Sequence, residues 1–510
     1  MEADIIIKNG KCMTMKNRET ADWLAIKDGR IAAIGGGNQY EPMAEQAGLI
    51  LDAKGGTVLP GFIDSHFHVV QTAINSQSLD LREVCCFEEI GEKIRQASME
   101  KPGESIIGIR LEVGQLREGI LPDRLVLDQY CSNVPVWINS LDYQVSMLNT
   151  YGLLYFKIPF SIEGVEMDSQ GVATGIFRGK ANATLRTNIL DHIPDKERRE
   201  AVSRLMPQLL STGITTINAM EGGNMYSDKD ADFIYEYSEE FPVDIALFYQ
   251  SMDIEKIKNL YLNRIGGSLY IDGTMGARTA ALSFEYADCP GRMGSLRFSQ
   301  PELNEFVTEC YRNNMQLSVY TIGDRAIEMA LNAHEFALYH TGIRGLRHRL
   351  EHVELSDDRQ MERAAEMGII FSMNPTYEVY WGGKGKMYEQ RLGERYVRTN
   401  CFREIIDSGV CICGGSDSDI TEFNPLIGIS AAINHQVEYH RASVYETLEM
   451  YTCNGAYAIF EEEEKGTLEV GKLADVIILD GDIMMTKKEK IQDMSVLSTI
   501  KSGELIYNRL

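Results

Sequence analysis

Short apolar runs separated by glycine-containing turns open and close this chain. Near the start, "IIIKNGKCMTM" (5–15) sets an Asn-Gly turn between two strand-like runs, and "WLAIKDGRIAAIG" (23–35) does the same with Asp-Gly. Both dipeptides supply the positive φ angles that two-residue hairpins need. At the other end, "GTLEVGKLADVIILDGDIM" (466–484) and "STIKSGELIYNRL" (498–510) repeat the pattern. Two β-rich ends around a long middle predict one small β-sandwich built from residues 1–58 together with 465–510. Two separate β modules are the alternative.

Between the ends, short β runs alternate with amphipathic helical stretches, the pattern of a parallel sheet with crossover helices. Eight runs read as strands: "GFIDSH" (61–66), "GITTINAM" (213–220), "DIALFYQ" (244–250), "GSLYIDG" (267–273), "QLSVYTIG" (316–323), "RHRLEHV" (347–353), "GIIFSMNP" (368–375) and "VCICGGSD" (410–417). Such a set predicts an α/β fold, a (β/α)8 TIM-like barrel over residues 59–464. Active sites of these barrels lie at the C-terminal ends of the strands. His66, Asp272, His352 and Asp417 all fall at or near those ends. The interval between the first two strands is too long for one crossover, so about residues 70–212 form an insertion. It carries strands of its own at 105–112, 134–140 and 171–177, and is placed to cover the mouth of the barrel.

A length of 510 residues implies two or three domains, and a composition of 44% hydrophobic and 25% charged residues suits a soluble globular protein. The formal net charge of −25 argues against nucleic acid or an anionic membrane as partner. The ten cysteines include no CxxC pair and sit mostly in apolar runs, which reads as free thiols in a reducing compartment. No signal-peptide pattern or membrane-length apolar run is present. These features predict a cytoplasmic protein, and a chain of this size is compatible with a homodimer.

The chemistry starts at "TVLPGFIDSHFHVV" (57–70). His66 and His68 are two residues apart, so on a strand they share one face and both turn to the barrel mouth. Alone, an HxH points to incidental or hydrogen-bonded histidines more than to metal ligands; the preceding "LPGFID", a sharp turn and strand, shifts the balance toward a metal pair. "GGSDSDI" (414–420) puts Asp417 at the end of the last strand, across from that pair in a closed barrel. A carboxylate there can bind a metal or accept a proton from a bound water; the alternative is a helix N-cap, which Asp419 fits better. "RLEHVEL" (349–355) puts His352 at the end of the sixth strand, and His348 reads as an ordinary histidine.

Together with "YIDGTMGARTAAL" (270–282), "TIGDRAI" (321–327) and "GTLEVGKLADVIILD", these motifs resemble the amidohydrolase superfamily over nearly the whole chain. Within it they are most similar to amidohydrolase family 3, the YtcJ-like metal-dependent hydrolases. The resemblance implies a barrel bearing one or two divalent metals, usually zinc, whose activated water attacks a carbonyl or amidine-type carbon. It makes His66 and His68 ligands, His352 a ligand or electrophile, and Asp417 a ligand and proton acceptor.

Three positions depart from the family pattern. A lysine that can bridge two metals is Ser268 here, a histidine is Tyr320, and in the insertion a further histidine is Gln144, in "DYQ" (142–144). A neutral phenol, with an ordinary pKa of about 10, is a poor zinc ligand. The remaining set of His66, His68, Asp417 and His352 suffices for one catalytic zinc, to which Asp272 or Glu221 could add a carboxylate. Tyr320, Arg278, Asp272 and Gln144 are candidate substrate-binding residues, and Arg325 could also meet an anionic group. For the arginines, a loop-fixing salt bridge with Asp272 or Asp324 is the alternative. The expected activity is hydrolysis of a non-peptide C–N bond (amide, cyclic amide or N-acyl) in a small molecule. A non-catalytic small-molecule-binding protein on the same scaffold is the alternative.

Overall fold

The computed structural model describes residues 3–141, 143–223 and 226–510. It divides into two compact units. One comprises the chain up to His68, Met206–Met220 and Ile234–Leu510; the other comprises Val69–Leu205 and Glu221–Phe233.

The first unit is organised by an eight-stranded parallel sheet. In sheet order its strands are Phe62–Phe67, Ile214–Glu221, Asp244–Tyr249, Arg264–Tyr270, Gln316–Thr321, Arg349–His352, Ile370–Met373 and Ile412–Gly414. Each lies within or against one of the eight runs read from the sequence. Neighbours pair in parallel register, for example Thr321 with His352 and Ser372 with Cys413. Just beyond the last strand, Asp417 N–H donates to His66 O at 2.8 Å and His68 N–H to Ser418 O at 2.9 Å. These bonds bring the ends of the first and last strands together, so the sheet is a nearly closed barrel. Both faces of a barrel strand are covered, which is why "FIDSHF" is buried at every position despite its polar residues.

The crossover helices carry local stop and start signals. Ser299 with Glu302 and Asp357 with Gln360 form capping boxes, in which side chains satisfy backbone N–H groups that the first turn leaves open. Gly342 and Gly368 end their helices at φ 68°, the left-handed conformation a glycine takes without a Cβ penalty.

Strands from the two chain ends build two further sheets. One holds Ile5–Lys8, Trp23–Lys27, Arg30–Gly35 and Leu49–Asp52. The other joins Lys11–Met13, Thr20–Ala21 and Thr57–Pro60 to Val476–Leu479, Val496–Lys501 and Glu504–Asn508. Ile7, Leu24 and Ile26 from the former share one apolar core with Val58, Val476, Ile478 and Ile500 from the latter.

The second unit has its own six-stranded mixed sheet. Ile106–Leu111, Val136–Ser140 and Ala173–Arg178 are the three strands read there from the sequence. Leu81, Ile94, Ile138 and Met147 pack in one of its cores, and Trp137, Leu148, Phe177 and Leu185 in another.

Candidate metal centre

His66 is the penultimate residue of the first barrel strand, and its ring is fixed from behind. Nδ1 lies 2.7 Å from Glu351 Oε2. Glu351 is itself gripped by Arg349, through Nε at 2.8 Å and Nη2 at 3.0 Å, and by Ser318 Oγ at 2.8 Å. Arg349 also reaches Ser372 Oγ at 2.8 Å and lies 4.5 Å from the Phe248 ring centre. All of these side chains are buried. His68 Nδ1 lies 2.7 Å from the carbonyl oxygen of Met220.

Carboxylate and carbonyl oxygens only accept hydrogen bonds, so in both histidines Nδ1 carries the hydrogen. In the neutral rings Nε2 is then left with its lone pair. The two Nε2 atoms converge on Asp417 Oδ1, at 3.4 Å from His66 and 3.2 Å from His68. His66 Nε2 is buried without a hydrogen-bond partner among the described residues; its approach to Asp417 is an ion-pair distance rather than an aligned hydrogen bond. Ligand atoms of His66, His68 and Asp417 all lie within 4.8 Å of one another. Two imidazole lone pairs and a carboxylate oxygen, converging on a common space with one buried nitrogen unsatisfied, fit a divalent metal.

The electrostatics fit as well. Burial alone would lower His66, but Asp417 and Glu351 outweigh it and raise the ring to about 9. Burial pushes Asp417 up, and His66 and His68 beside it more than offset this, holding it well below the usual carboxylate range. With Arg349 already balancing Glu351, the buried Asp417 carboxylate demands positive charge here, which a proton on His66 or a bound cation can supply.

Asp417 divides its oxygens. While Oδ1 faces the histidines, Oδ2 accepts the phenol hydrogen of Tyr377. Its backbone takes φ 53°, in the left-handed region, and His352 and Val353 sit at φ 72° and 48°. Non-glycine residues there carry strain of about 1–3 kcal/mol each, of the kind that clusters at functional sites. Asp64 ties the two strand ends together, accepting from Ser416 N–H at 3.0 Å and His66 N–H at 3.2 Å.

His352 stands beside this group, its ring centre 4.8 Å from that of His66. Asn374 Nδ2 donates to Gly415 O at 3.2 Å, which turns the amide oxygen to His352 Nδ1 at 2.7 Å. Nδ1 therefore carries the hydrogen in this ring too. Burial, with His66 adding to it, lowers His352 to about 4, so the ring is neutral near pH 7. Tyr320 is buried with its ring 4.5 Å from His352 and 4.5 Å from Tyr270. Burial pushes its phenol well above its ordinary range.

The other candidates are engaged elsewhere. Asp272 accepts three backbone hydrogen bonds, from Ala281 at 2.9 Å, Ile322 at 3.1 Å and Gly323 at 2.8 Å. Its carboxylate fixes the surrounding loops, and burial raises it to about 7. Arg278 pairs with Asp288, at 2.9 and 2.7 Å, rather than with Asp272 or Asp324. Arg325 is exposed, and so is Gln144 in the second unit. Glu221 in that unit is buried, accepts from Val70 N–H at 3.1 Å, and is raised well above its ordinary range by burial and then Asp230. Ser268 is buried; its N–H donates to Ser318 Oγ at 3.3 Å and its carbonyl accepts from Gln250 at 2.8 Å. His348 accepts from Leu317 N–H at 3.0 Å and stacks on Tyr311.

Sequence reasoning did not find Glu351, Arg349, Asn374 or Tyr377. For the first two a signal existed: in "RLEH", Arg and Glu two residues apart share a strand face, and a buried pair of opposite charge needs a partner. Tyr377 lies in the aromatic-rich stretch after the seventh strand, where nothing in the letters ranks one ring above another.

Comparison with known proteins agrees with the fold. Residues 49–507 match the model of a family described as the amidohydrolase family. An N-substituted formamide deformylase of Arthrobacter pascens is 26% identical over 99% of this chain and 98% of its own length. YtcJ of Bacillus subtilis (strain 168) is 24% identical over 95% of each chain. A solved structure of an uncharacterized metal-dependent hydrolase from Pyrococcus furiosus superposes with a TM-score of 0.79 at 27% identity, covering 94% of this chain and 99% of its own.

Proposed function

This chain belongs to the amidohydrolase family, and from that premise we propose that it hydrolyses a non-peptide C–N bond of a small molecule with one divalent metal held by His66, His68 and Asp417. The observation that carries the proposal is the convergence of those ligand atoms within 4.8 Å around a buried, unsatisfied His66 nitrogen. A metal bound there would supply Lewis acidity and lower the pKa of water. Asp417, kept ionised by the histidines beside it, is the group placed to take a proton from attacking water and deliver it to the leaving nitrogen. His352 is neutral, with Nδ1–H spent on Asn374, so its free lone pair suits a ligand or proton acceptor better than a donor to a substrate carbonyl. Arg349 and Glu351 hold His66 in the ligating orientation.

A single zinc is part of the proposal. Its support is chemical: Ser268 offers no bridging group, and the Tyr320 phenol is held neutral. Arg278 enters as a group for the outer part of a substrate and Tyr320 as one for its carbonyl, and Gln144 stays a candidate substrate contact of the second unit. Family membership favours catalysis over a purely binding role. We also read the end-built sheets, residues 1–58 with 465–510, as one β-sandwich domain beside a hydrolase domain at 59–464, with an insertion at about 70–212. The free state of the ten described cysteines supports a cytoplasmic location. Among the described residues no helix is long and apolar enough to cross a membrane. A homodimer completes the proposal, on chain size, and analytical ultracentrifugation tests it.

Metal analysis and turnover test the function together. Zinc-loaded protein should contain one metal per chain and release amine from a panel of amides, cyclic amides and N-acyl amines. N-substituted formamides lead the panel, since a relative is named for them. Retention of both metal and turnover in His66→Ala and Asp417→Asn would refute the assignment.

A further inference from the structure

Tyr377 has no role in the mechanism above, yet its surroundings are those of a built contact. Its phenol donates to Asp417 Oδ2. Its ring lies parallel to His352, at 8° and 6.0 Å, and packs edge-on against Trp381 at 4.4 Å. The short helix that carries it, Tyr377–Tyr380, is anchored by the next residue. Glu378, also buried, accepts from Asn400 Nδ2 at 2.7 Å and Thr399 Oγ1 at 3.4 Å, and its second oxygen lies 3.3 Å from His435 Nε2. Consecutive side chains thus act on opposite sides: Glu378 fastens the helix, and Tyr377 reaches the site.

A carboxylate beside a divalent ion can bind through one oxygen or two. One-oxygen binding leaves coordination positions for water and substrate; two-oxygen binding consumes one of them. We propose that Tyr377 is a positioning residue that fixes Asp417 as a one-oxygen ligand: by occupying Oδ2 it reserves for the metal Oδ1, the oxygen that faces His66 and His68 at 3.4 and 3.2 Å. This rests on the one-metal reading, and it adds a residue that acts on the ion only through Asp417.

The test compares wild type with Tyr377→Phe, which deletes only the phenol oxygen. Both are stripped of metal and titrated with Zn2+ against a chromophoric chelator, then loaded with Co2+ for visible absorption spectra. The expected result is about 10- to 100-fold weaker Zn2+ binding in Y377F, the usual range for loss of a group that orients a ligand, with cobalt bands weakened by a rise in coordination number. Equal affinity and identical spectra in the two proteins would overturn the role of Tyr377 and leave the metal reading standing. Failure of wild type itself to take up either ion would overturn the metal reading, and this inference with it. A crystal structure of zinc-loaded wild type decides the matter even if Y377F does not fold. Oδ1 alone on the ion, with Oδ2 on the phenol, supports the proposal; both oxygens on the ion refute it.

Discussion

Among the described residues, two clusters gather metal-ligand side chains within 4.8 Å: His66, His68 and Asp417 at the barrel mouth, and Cys401, Glu404 and His440 elsewhere in the same unit. They differ in what the ring nitrogens face. At the mouth, each histidine gives Nδ1–H to an oxygen behind it and turns Nε2 toward the common space. In the second cluster, His440 Nδ1 lies 2.5 Å from Glu404 and Nε2 lies 2.6 Å from the carbonyl of Val397. Both nitrogens face oxygens, so neither lone pair is turned to a shared point. Burial also pushes Cys401 up to about 12, away from the thiolate that a metal needs. Proximity of ligand types is therefore not enough. A metal centre also needs orienting acceptors on the far side of each ring, and only the barrel mouth has them among these two clusters.

The sharpest break between the clusters is expected from removing a ligand. His66→Ala and Asp417→Asn should lose the metal and about 10³-fold or more in kcat/KM, since Lewis-acid stabilisation is worth several kcal/mol. His440→Ala should leave metal content at the wild-type level. Elemental analysis beside steady-state kinetics checks both; metal loss in His440→Ala would erase the distinction. One step back from the ion, Glu351→Gln keeps the shape but weakens the acceptor that orients His66. Metal affinity should fall about 10- to 100-fold, measured by chelator competition, with a smaller change in thermal midpoint.

In the second cluster the expected cost is structural. Truncating the fully buried His440 should destabilise the fold by about 2 kcal/mol, as for other buried groups that leave partners unsatisfied, visible as a lower urea midpoint in metal-free protein.

His334 serves as the reference for a buried ring whose shift comes from burial alone. His334 is lowered to about 3 by burial, so it is neutral when folded, whereas the unfolded chain takes up a proton below about 6.5. Its stabilising contribution is complete above pH 6.5 and is lost as pH falls from there toward 3. Between pH 7.5 and 5 the loss should be about 2 kcal/mol, and His334→Phe should flatten that slope in urea titrations. The smallest effect belongs to Arg278. Its pair with Asp288 is partly exposed, so Arg278→Ala should change stability by less than about 1 kcal/mol; a large drop in kcat/KM with stability intact would support a role at substrate.

The barrel was legible because each strand is a short apolar run closed by a turn, and a parallel barrel buries both faces of every strand. That His66, His68 and Asp417 come together was legible because strand ends are where such a fold gathers polar groups. Of the residues behind them, Arg349 and Glu351 carried a signal as a buried pair, but their target did not follow from it. Regular alternation would send Glu351 and His352 to opposite faces, yet Glu351 hydrogen-bonds His66 while the ring of His352 packs against the same histidine. The left-handed backbone at His352 breaks the alternation, and sequence periodicity does not announce such a break. Asp272 looked chemical for the same reason as Asp417, an acid at a strand end. What separates them is that three backbone N–H groups already occupy Asp272.

The seam between the first and last strands has a consequence for how the protein matures. Asp64 and Ser416, hydrogen-bonded to each other there, lie 352 positions apart along the chain. Contacts of such high contact order are slow to form, because the entropy of closing the loop is lost before the contact is made. The proposed ligand set spans the same seam, so during synthesis on the ribosome His66 and His68 emerge long before Asp417. An ion captured by the finished set would act as a latch, favouring the closed barrel over any open intermediate by mass action.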